Sequence, residues 1–349
     1  MPVPITKSQR DGFGFCLLIH LAVFNLLTVT TARAESSAAG ASPAEILEIV
    51  FERIGFDADD IEELSRGAIV SKGVPELEKV DSEMAATLAV YFPQRPEVLI
   101  NLISPDAILN ADPKILAFQQ ILDDKNKDFA NIAYTQREAY ELRRLQNTKP
   151  GKEFNLHSSE YHLLKNADPT SAYARILNNR YTQYTKTGLE GILNYTRKRE
   201  VETSPADLLT TATESLLLLQ RFFPTIYYIV RYFPESNSTD VRHFFYWKKK
   251  LVQRRPNFSL SHMMLFQAQD IAIMVEREYY VGHTYDSLQF VIGFFPWRDG
   301  TLIVLLNQTF TGRVTGFASG IARAVGRNMI QDTIRGFMEK LRRQLDLPE

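Results

Sequence analysis

Cysteine is nearly absent. The 349-residue sequence has one, Cys16, inside an apolar stretch near the start, so neither a disulfide framework nor thiol chemistry can be built on it. Long apolar runs are scarce: after residues 13–29 none is long enough to span a bilayer. Charge of one sign is missing too. Forty Lys and Arg face 41 Asp and Glu, and no basic run interleaves with aromatic residues, which argues against a nucleic-acid partner. Glycine spacing does not form a phosphate loop. No Ser/His/Asp order can be defended, no histidines have the spacing of metal ligands, and no cofactor is implied.

The first residues carry a targeting pattern. Lys7 and Arg10 precede the apolar stretch, and Ala32-Arg33-Ala34 follows it. A basic start, a short apolar core and a small-x-small end spell a cleavable secretory signal over residues 1–34, cut after Ala34. Cys16 lies within the apolar core rather than just past it, so lipidation is not expected. Cleavage would remove the only cysteine. It would also remove Lys7, Arg10, Arg33 and Asp11, taking the formal charge from −1 to −3. The remaining chain of about 315 residues can bury a core without disulfides. An exported, cysteine-free chain fits a bacterial periplasm, so the expected location is periplasmic or secreted. In that compartment the Asn-x-Ser/Thr triplets at Asn194, Asn237, Asn257 and Asn307 are chance matches.

Three regions are expected: the signal, a leader and helix over 35–65, and one α+β domain over 66–349 with a helical insertion at about 158–233. Ser42-Pro43-Ala44-Glu45 starts a helix that Gly55 ends. Strands follow near 67–70 and 85–91, then a helix from Pro96. Residues 115–122 suit a strand or a short helix, and 129–146 an extended backbone passing into a charged segment. The insertion is rich in tyrosine and punctuated by Pro224 and Pro234. From Val241 the period changes to two. Phe258, Leu260, His262, Met264 and Phe266 alternate with Ser259, Ser261 and Met263, and Asp299-Gly300 marks a hairpin. Four or five strands in succession predict an antiparallel meander. A last helix, from Gly316, sets Ile330, Ile334, Phe337 and Leu341 on one face against several arginines.

Phe92-Pro93 with Pro96-Glu97, the strand run through Phe310 and the helix after Gly316 resemble the START / polyketide-cyclase superfamily, in which a sheet wraps a long C-terminal helix (the helix-grip arrangement). The chain also resembles a group of uncharacterised exported bacterial proteins. Arg180-Tyr181, Tyr184, Gly188-Leu189, Gly191-Ile192, Tyr195, Phe245-Tyr246-Trp247, Tyr279, His283 and Ser287-Leu288 carry that likeness. The superfamily resemblance implies an apolar cavity between sheet and C-terminal helix, holding a lipid or an aromatic small molecule. The insertion departs from the family pattern, and would compromise that role if it filled or capped the cavity.

The most informative stretch is Glu276 to Tyr285, a polar and aromatic segment among apolar strands. Alternation sends Arg277, Tyr279 and His283 to one face, and Glu276, Glu278 and Tyr280 to the other. A turn at Gln269-Asp270 sets His262 near Arg277. A turn at Arg255-Pro256 sets His262 opposite Lys249, away from His243, which removes a three-histidine metal site. A buried arginine needs a carboxylate from protein or ligand. Glu276 and Glu278 then read either as an internal Arg–Glu pair that fixes register or as a solvated outer face. The ligand-facing set is therefore expected to be His262, Arg277, Tyr279 and His283 as polar contacts, Trp247, Phe266 and Phe290 as apolar wall, and Asn307 as a buried amide that must be paired. The leading expectation is a non-enzymatic exported protein that binds a lipid or another apolar or amphipathic small molecule. The alternatives are an enzyme using His283 or His262 with Arg277, and an interaction module using the aromatic insertion. Oligomeric state is not legible.

Overall fold

The structure, a computed structural model, describes residues 41–74, 79–102, 112–123, 127–165, 167–268, 270–312 and 319–344. The expected signal segment, Gln269 and Gly316 lie outside the described residues. All that is described belongs to the unit Ser36–Glu349.

Helix α1 (Pro43–Ile54) starts as its sequence dictates. The Ser42 hydroxyl accepts from the Glu45 amide, while the Glu45 carboxylate accepts from the Ser42 amide at 2.6 Å. These bonds satisfy two of the donors a helix start leaves open. Helix α2 (Ala58–Ser65), strand β1 (Ile69–Gly73), strand β2 (Glu83–Phe92), helix α3 (Pro96–Leu102) and strand β3 (Ile115–Ile121) follow. The segment expected to be extended before residue 146 ends instead in helix α4 (Ala139–Gln146), whose Glu141 and Leu145 are buried. Helices α5 (Tyr161–Lys165) and α6 (Pro169–Thr187) lead to a two-strand hairpin, β4 (Tyr195–Thr196) and β5 (Glu202–Thr203). Helices α7 (Pro205–Glu214), α8 (Leu217–Phe222) and α9 (Pro224–Tyr232) complete the insertion. Five long strands come next: β6 (Val241–Val252), β7 (Arg255–Ala268), β8 (Ile271–Val281), β9 (Ser287–Trp297) and β10 (Gly300–Phe310). Helix α10 (Ser319–Gln344) closes the described chain.

Strands β6 to β10 form the expected meander. The full sheet has eight antiparallel strands in the order β1-β2-β10-β9-β8-β7-β6-β3. The fold is therefore α+β, with a large open antiparallel sheet and a C-terminal helix.

Two details of register differ from the sequence reading. The β6–β7 turn is Gln253-Arg254, both with positive φ (51° and 65°), and Val252 pairs with Arg255. Positive φ at both central residues is the tight-hairpin geometry, usually signalled by Asn-Gly, and Gln-Arg carries no such signal. The partner of His262 is consequently Phe245, not Lys249. In β8, the pairing shifts between Leu260↔Tyr280 and Ser261↔Glu278, leaving Tyr279 as the extra residue of a bulge. A bulge interrupts strict alternation, so Tyr280 joins Tyr279 on one face instead of lying opposite it.

Each face of the sheet has its own helical cover. One carries α1 and the insertion, packed into two apolar clusters. Val230, Met264, Phe266 and Val275 belong to the first. Tyr173, Tyr184, Trp247, Leu260 and Tyr279 belong to the second. The other face carries α3 and α10, with Leu99, Ile334, Met338 and Leu341 against Leu88, Met263, Phe294 and Leu305. The insertion thus leaves the space between sheet and C-terminal helix uncapped.

Candidate functional site: a pocket beneath the C-terminal helix

The sheet divides the eight residues expected to share a site. His262, Arg277, Tyr279, Trp247 and Phe266 lie on the insertion side, and His283 packs edge-on against Phe154 on that side. Phe290 and Asn307 are paired to each other on the opposite side, under α10.

The insertion side is sealed. His262, Arg277, Tyr279, Trp247, Phe266 and His283 are each at most 2% exposed, and their polar atoms mostly serve the protein itself. Arg277 donates from Nη2 to the Val230 carbonyl at 2.7 Å and to the Thr213 hydroxyl at 3.1 Å. In helix geometry the Val230 carbonyl would take the N–H of residue 234, which is proline and has none. Arg277 supplies the missing donor at the negative end of α9. No carboxylate pairs with Arg277 among the described residues, and Glu276 and Glu278 point to the other face, so the expected Arg–Glu pair does not form. Trp247 Nε1 donates to the Asp128 carbonyl at 2.7 Å. His283 Nε2 lies 3.1 Å from the Pro256 carbonyl.

The histidines meet more closely than expected. His262 Nδ1 is 2.9 Å from the Tyr184 hydroxyl, and its Nε2 is 2.9 Å from Nδ1 of His243. Tyr184 stacks on Tyr279, with ring centroids 3.9 Å apart. Burial, then the neighbouring His243 and Arg277 charges, hold His262 well below the usual imidazole range, and burial lowers His243 as well. Both imidazoles are neutral near pH 7, and one N–H bridges them, while His243 Nε2 is buried without a hydrogen-bond partner among the described residues. Register aligns His262, Arg277, Gln289 and Gln308 in one row across four strands. This polar row runs along the seam between the two apolar clusters of that face.

The side beneath α10 holds an opening of about 80 Å³. Its sheet wall is Met274, Phe290, Ile292 and Leu305, its helix wall Thr333, Ile334 and Phe337, and its charged rim Asp112, Lys248, Lys250 and Glu276, with Ile115 beside them. Three consecutive lysines of β6 alternate faces. Lys248 reaches Glu276 at 2.8 Å and also Glu278. Lys249, on the insertion side, reaches Glu138 at 2.8 Å. Lys250 reaches Asp112 at 2.5 Å. Glu278 accepts in addition from the Tyr285 hydroxyl at 2.5 Å. Burial pushes the Glu276 carboxyl up, but the Lys248 charge outweighs it, and the net result is below the usual carboxylate range. Burial likewise pulls Lys248 down, and Glu276 and Glu278 together carry it above the usual amine range.

Sequence reasoning named Glu276 and Glu278 but not their partner. The available signal was Lys248, a charged residue at an inward position of a strand flanked by Tyr246 and Phe244. Asn307 is 1% exposed, and its Oδ1 accepts from Thr309 at 2.9 Å.

Among the described residues no helix is long and apolar enough to cross a membrane. None of them form a group of three or more His, Cys, Asp or Glu placed to hold a metal. No family model, curated protein or solved structure matches this chain.

Proposed function

We propose that this protein is an exported binding protein for a small amphipathic molecule, seated between the sheet and the C-terminal helix. The reading treats residues 1–34 as a secretory signal and the sheet with α10 as helix-grip-like. One observation carries it: an apolar pocket, open beneath α10, that is rimmed by one buried and one half-buried ion pair. Small-molecule sites have this make-up, an apolar lining with a few placed polar groups. The insertion covers the opposite face and leaves the pocket free.

Volume limits the ligand. A cavity of roughly 150 Å³ accepts a benzene-sized guest, and this one is about 80 Å³. It suits a short apolar group, or the tip of a longer chain if α10 shifts outward. Phe290 is the one member of the expected ligand-facing set that lines it. Native mass spectrometry of the chain purified from its exporting host, followed by solvent extraction, tests the reading. The expected result is a non-covalent adduct that is released on denaturation and lost in Leu305→Trp, which fills the pocket. A clean apo mass at every preparation, together with no small-molecule binding in titration, sinks it.

A further inference from the structure

We propose that the molecule bound beneath α10 carries a single positive charge, as a primary amine on a short apolar tail. This inference rests on the pocket reading above and deepens it.

The rim itself is balanced, two lysines against Asp112 and Glu276, but the buried ion-pair cluster just behind it is not. Glu276 and Glu278 are two residues apart on the same face of β8, are 4% and 2% exposed, and share one ammonium, that of Lys248. Lys250, the other cation lining the pocket, is held by Asp112 at 2.5 Å. Lys248 and Lys250 against Glu276, Glu278 and Asp112 leave one negative charge over. A buried carboxylate without a full counter-charge is costly and draws in either a proton or a cation. Glu276 is the carboxylate of the pair that lines the pocket, and its lowered proton affinity disfavours the proton.

The surroundings of Glu276 fit an ammonium. The Tyr246 and Ser261 hydroxyls are close enough to help keep the Glu276 carboxylate charged, yet neither is aligned for a hydrogen bond to any protein group, and both are fully buried. A primary ammonium has three N–H donors; the Glu276 carboxylate, which lines the pocket, offers it acceptors, and the two hydroxyls lie in the buried layer behind that carboxylate. Phe290, Ile292 and Leu305, facing Ile334 and Phe337, then take the tail. An anionic head would have to displace Asp112 to reach Lys250, or Glu276 to reach Lys248, the two lysines of the lining.

Three probes with one tail test this: n-butylamine, n-butanol and butyrate, titrated at low salt into the chain beginning at Glu35. Backbone amide shifts of Phe290 and of 333–337 report the site. Butylamine is expected to bind roughly tenfold or more tighter than butanol, as charge-assisted hydrogen bonds do, and butyrate weakest of the three. Added salt should narrow the gap. Equal affinities, or butyrate ahead, overturn the cationic assignment and leave the pocket reading standing. Butylamine binding without shifts at those amides overturns it also. Failure of all three probes to bind removes the pocket reading itself. The comparison needs no substitution. Glu276→Gln, if it folds, should reduce the affinity for butylamine to that for butanol.

Discussion

The two faces of one sheet use their buried polar groups in opposite ways. On the insertion side, polar side chains bond to the backbone of the layer above. Arg277 holds the Val230 carbonyl, and Trp247 holds that of Asp128. Asn155, from the connection after α4, reaches back to the Val281 carbonyl at 2.9 Å. Each bond ties the covering layer to the sheet, Val230 from the insertion and Asp128 and Asn155 from the chain before it, and aromatic stacking fills the space between. On the C-terminal side, the polar groups pair mainly with one another inside the sheet or its edge, as Lys248 does with Glu276 and Glu278. Helix α10 rests on apolar contacts and a few pins, among them Lys114 Nζ to Thr333 at 3.0 Å and Arg342 to the Gly67 carbonyl. A layer stapled through its backbone is sealed, whereas one laid on side chains can part from the sheet. That difference places the pocket where the glue is apolar and the charges are self-contained.

The sharpest way to break the comparison is to remove a buried ion pair inside the insertion that holds a side chain against the sheet. Arg180 on α6 is 3% exposed, and it donates from Nε and Nη2 to both oxygens of Glu160 at 2.8 and 2.7 Å. Its guanidinium also lies 4.5 Å from the centroid of the Tyr280 ring. Glu160→Ala leaves a buried guanidinium without a counter-charge, bonded among the described residues only to the Leu193 carbonyl at 3.2 Å, and removing one member of a buried pair costs about 3–5 kcal/mol. Urea unfolding should show this loss as a fall in midpoint. A cost near zero would mean that the buried polar groups of the insertion side do not hold it closed as described.

Much of this contrast was legible in the sequence, though not all of it. The β6–β10 meander, the α1 cap, the C-terminal helix and the pairing of His262 with Arg277 follow from period-two alternation and local capping chemistry. The faces followed for Arg277, Tyr279 and His283 against Glu276 and Glu278, but not for Tyr280. One bulged residue, Tyr279, moved Tyr280 across the sheet. A turn built from Gln253 and Arg254 moved the β6 register and brought His243 within 2.9 Å of His262. Neither event has a short-range sequence signal, because both are settled by what the long strands bury once they are paired. The lining of the pocket, Phe290 apart, was missed for a related reason: its walls come from β8, β9, β10 and α10, and its charges from β6, β8 and the segment before β3.

A second variant sharpens the comparison from the C-terminal side. Lys248→Met leaves Glu276 and Glu278 buried together without their ammonium. The expected loss is about 2 kcal/mol at pH 7, smaller than for Glu160→Ala because a carboxyl can take up a proton where an arginine cannot lose one. The pH dependence should change sign. In the unsubstituted protein Glu276 titrates below its unfolded value, so its stabilisation is present above the unfolded carboxylate range and is lost as pH falls through the folded value. In Lys248→Met the folded value rises above the unfolded one. The Glu276 contribution should then increase as pH falls from 7 toward about 4.5. Chemical unfolding at several pH values between these limits reads it as the difference between Lys248→Met and the unsubstituted protein, in which the histidine contribution cancels, and a deficit that does not shrink toward about pH 4.5 would show that Lys248 is not the group holding Glu276.

The smallest effect belongs to the polar seam on the sealed face, and it asks whether that face stays shut to protons. His262 and His243 both titrate below their unfolded range, with burial the leading cause for each. The unfolded chain therefore binds more protons than the folded one as pH drops below about 6.5. Stability contributed by the neutral imidazoles is complete above that pH and declines below it, by at most about 1.4 kcal/mol per pH unit for each proton withheld. His262→Gln should flatten the decline between pH 6.5 and 5. The amide can still meet Tyr184 and His243, so the cost at pH 7 should be smaller than for the other two variants. Lys248→Met, whose change lies across the sheet, should keep the histidine component of the slope. If His262→Gln leaves the slope as it was, protons already reach the seam in the folded state, and the contrast between a sealed face and one that can open does not hold.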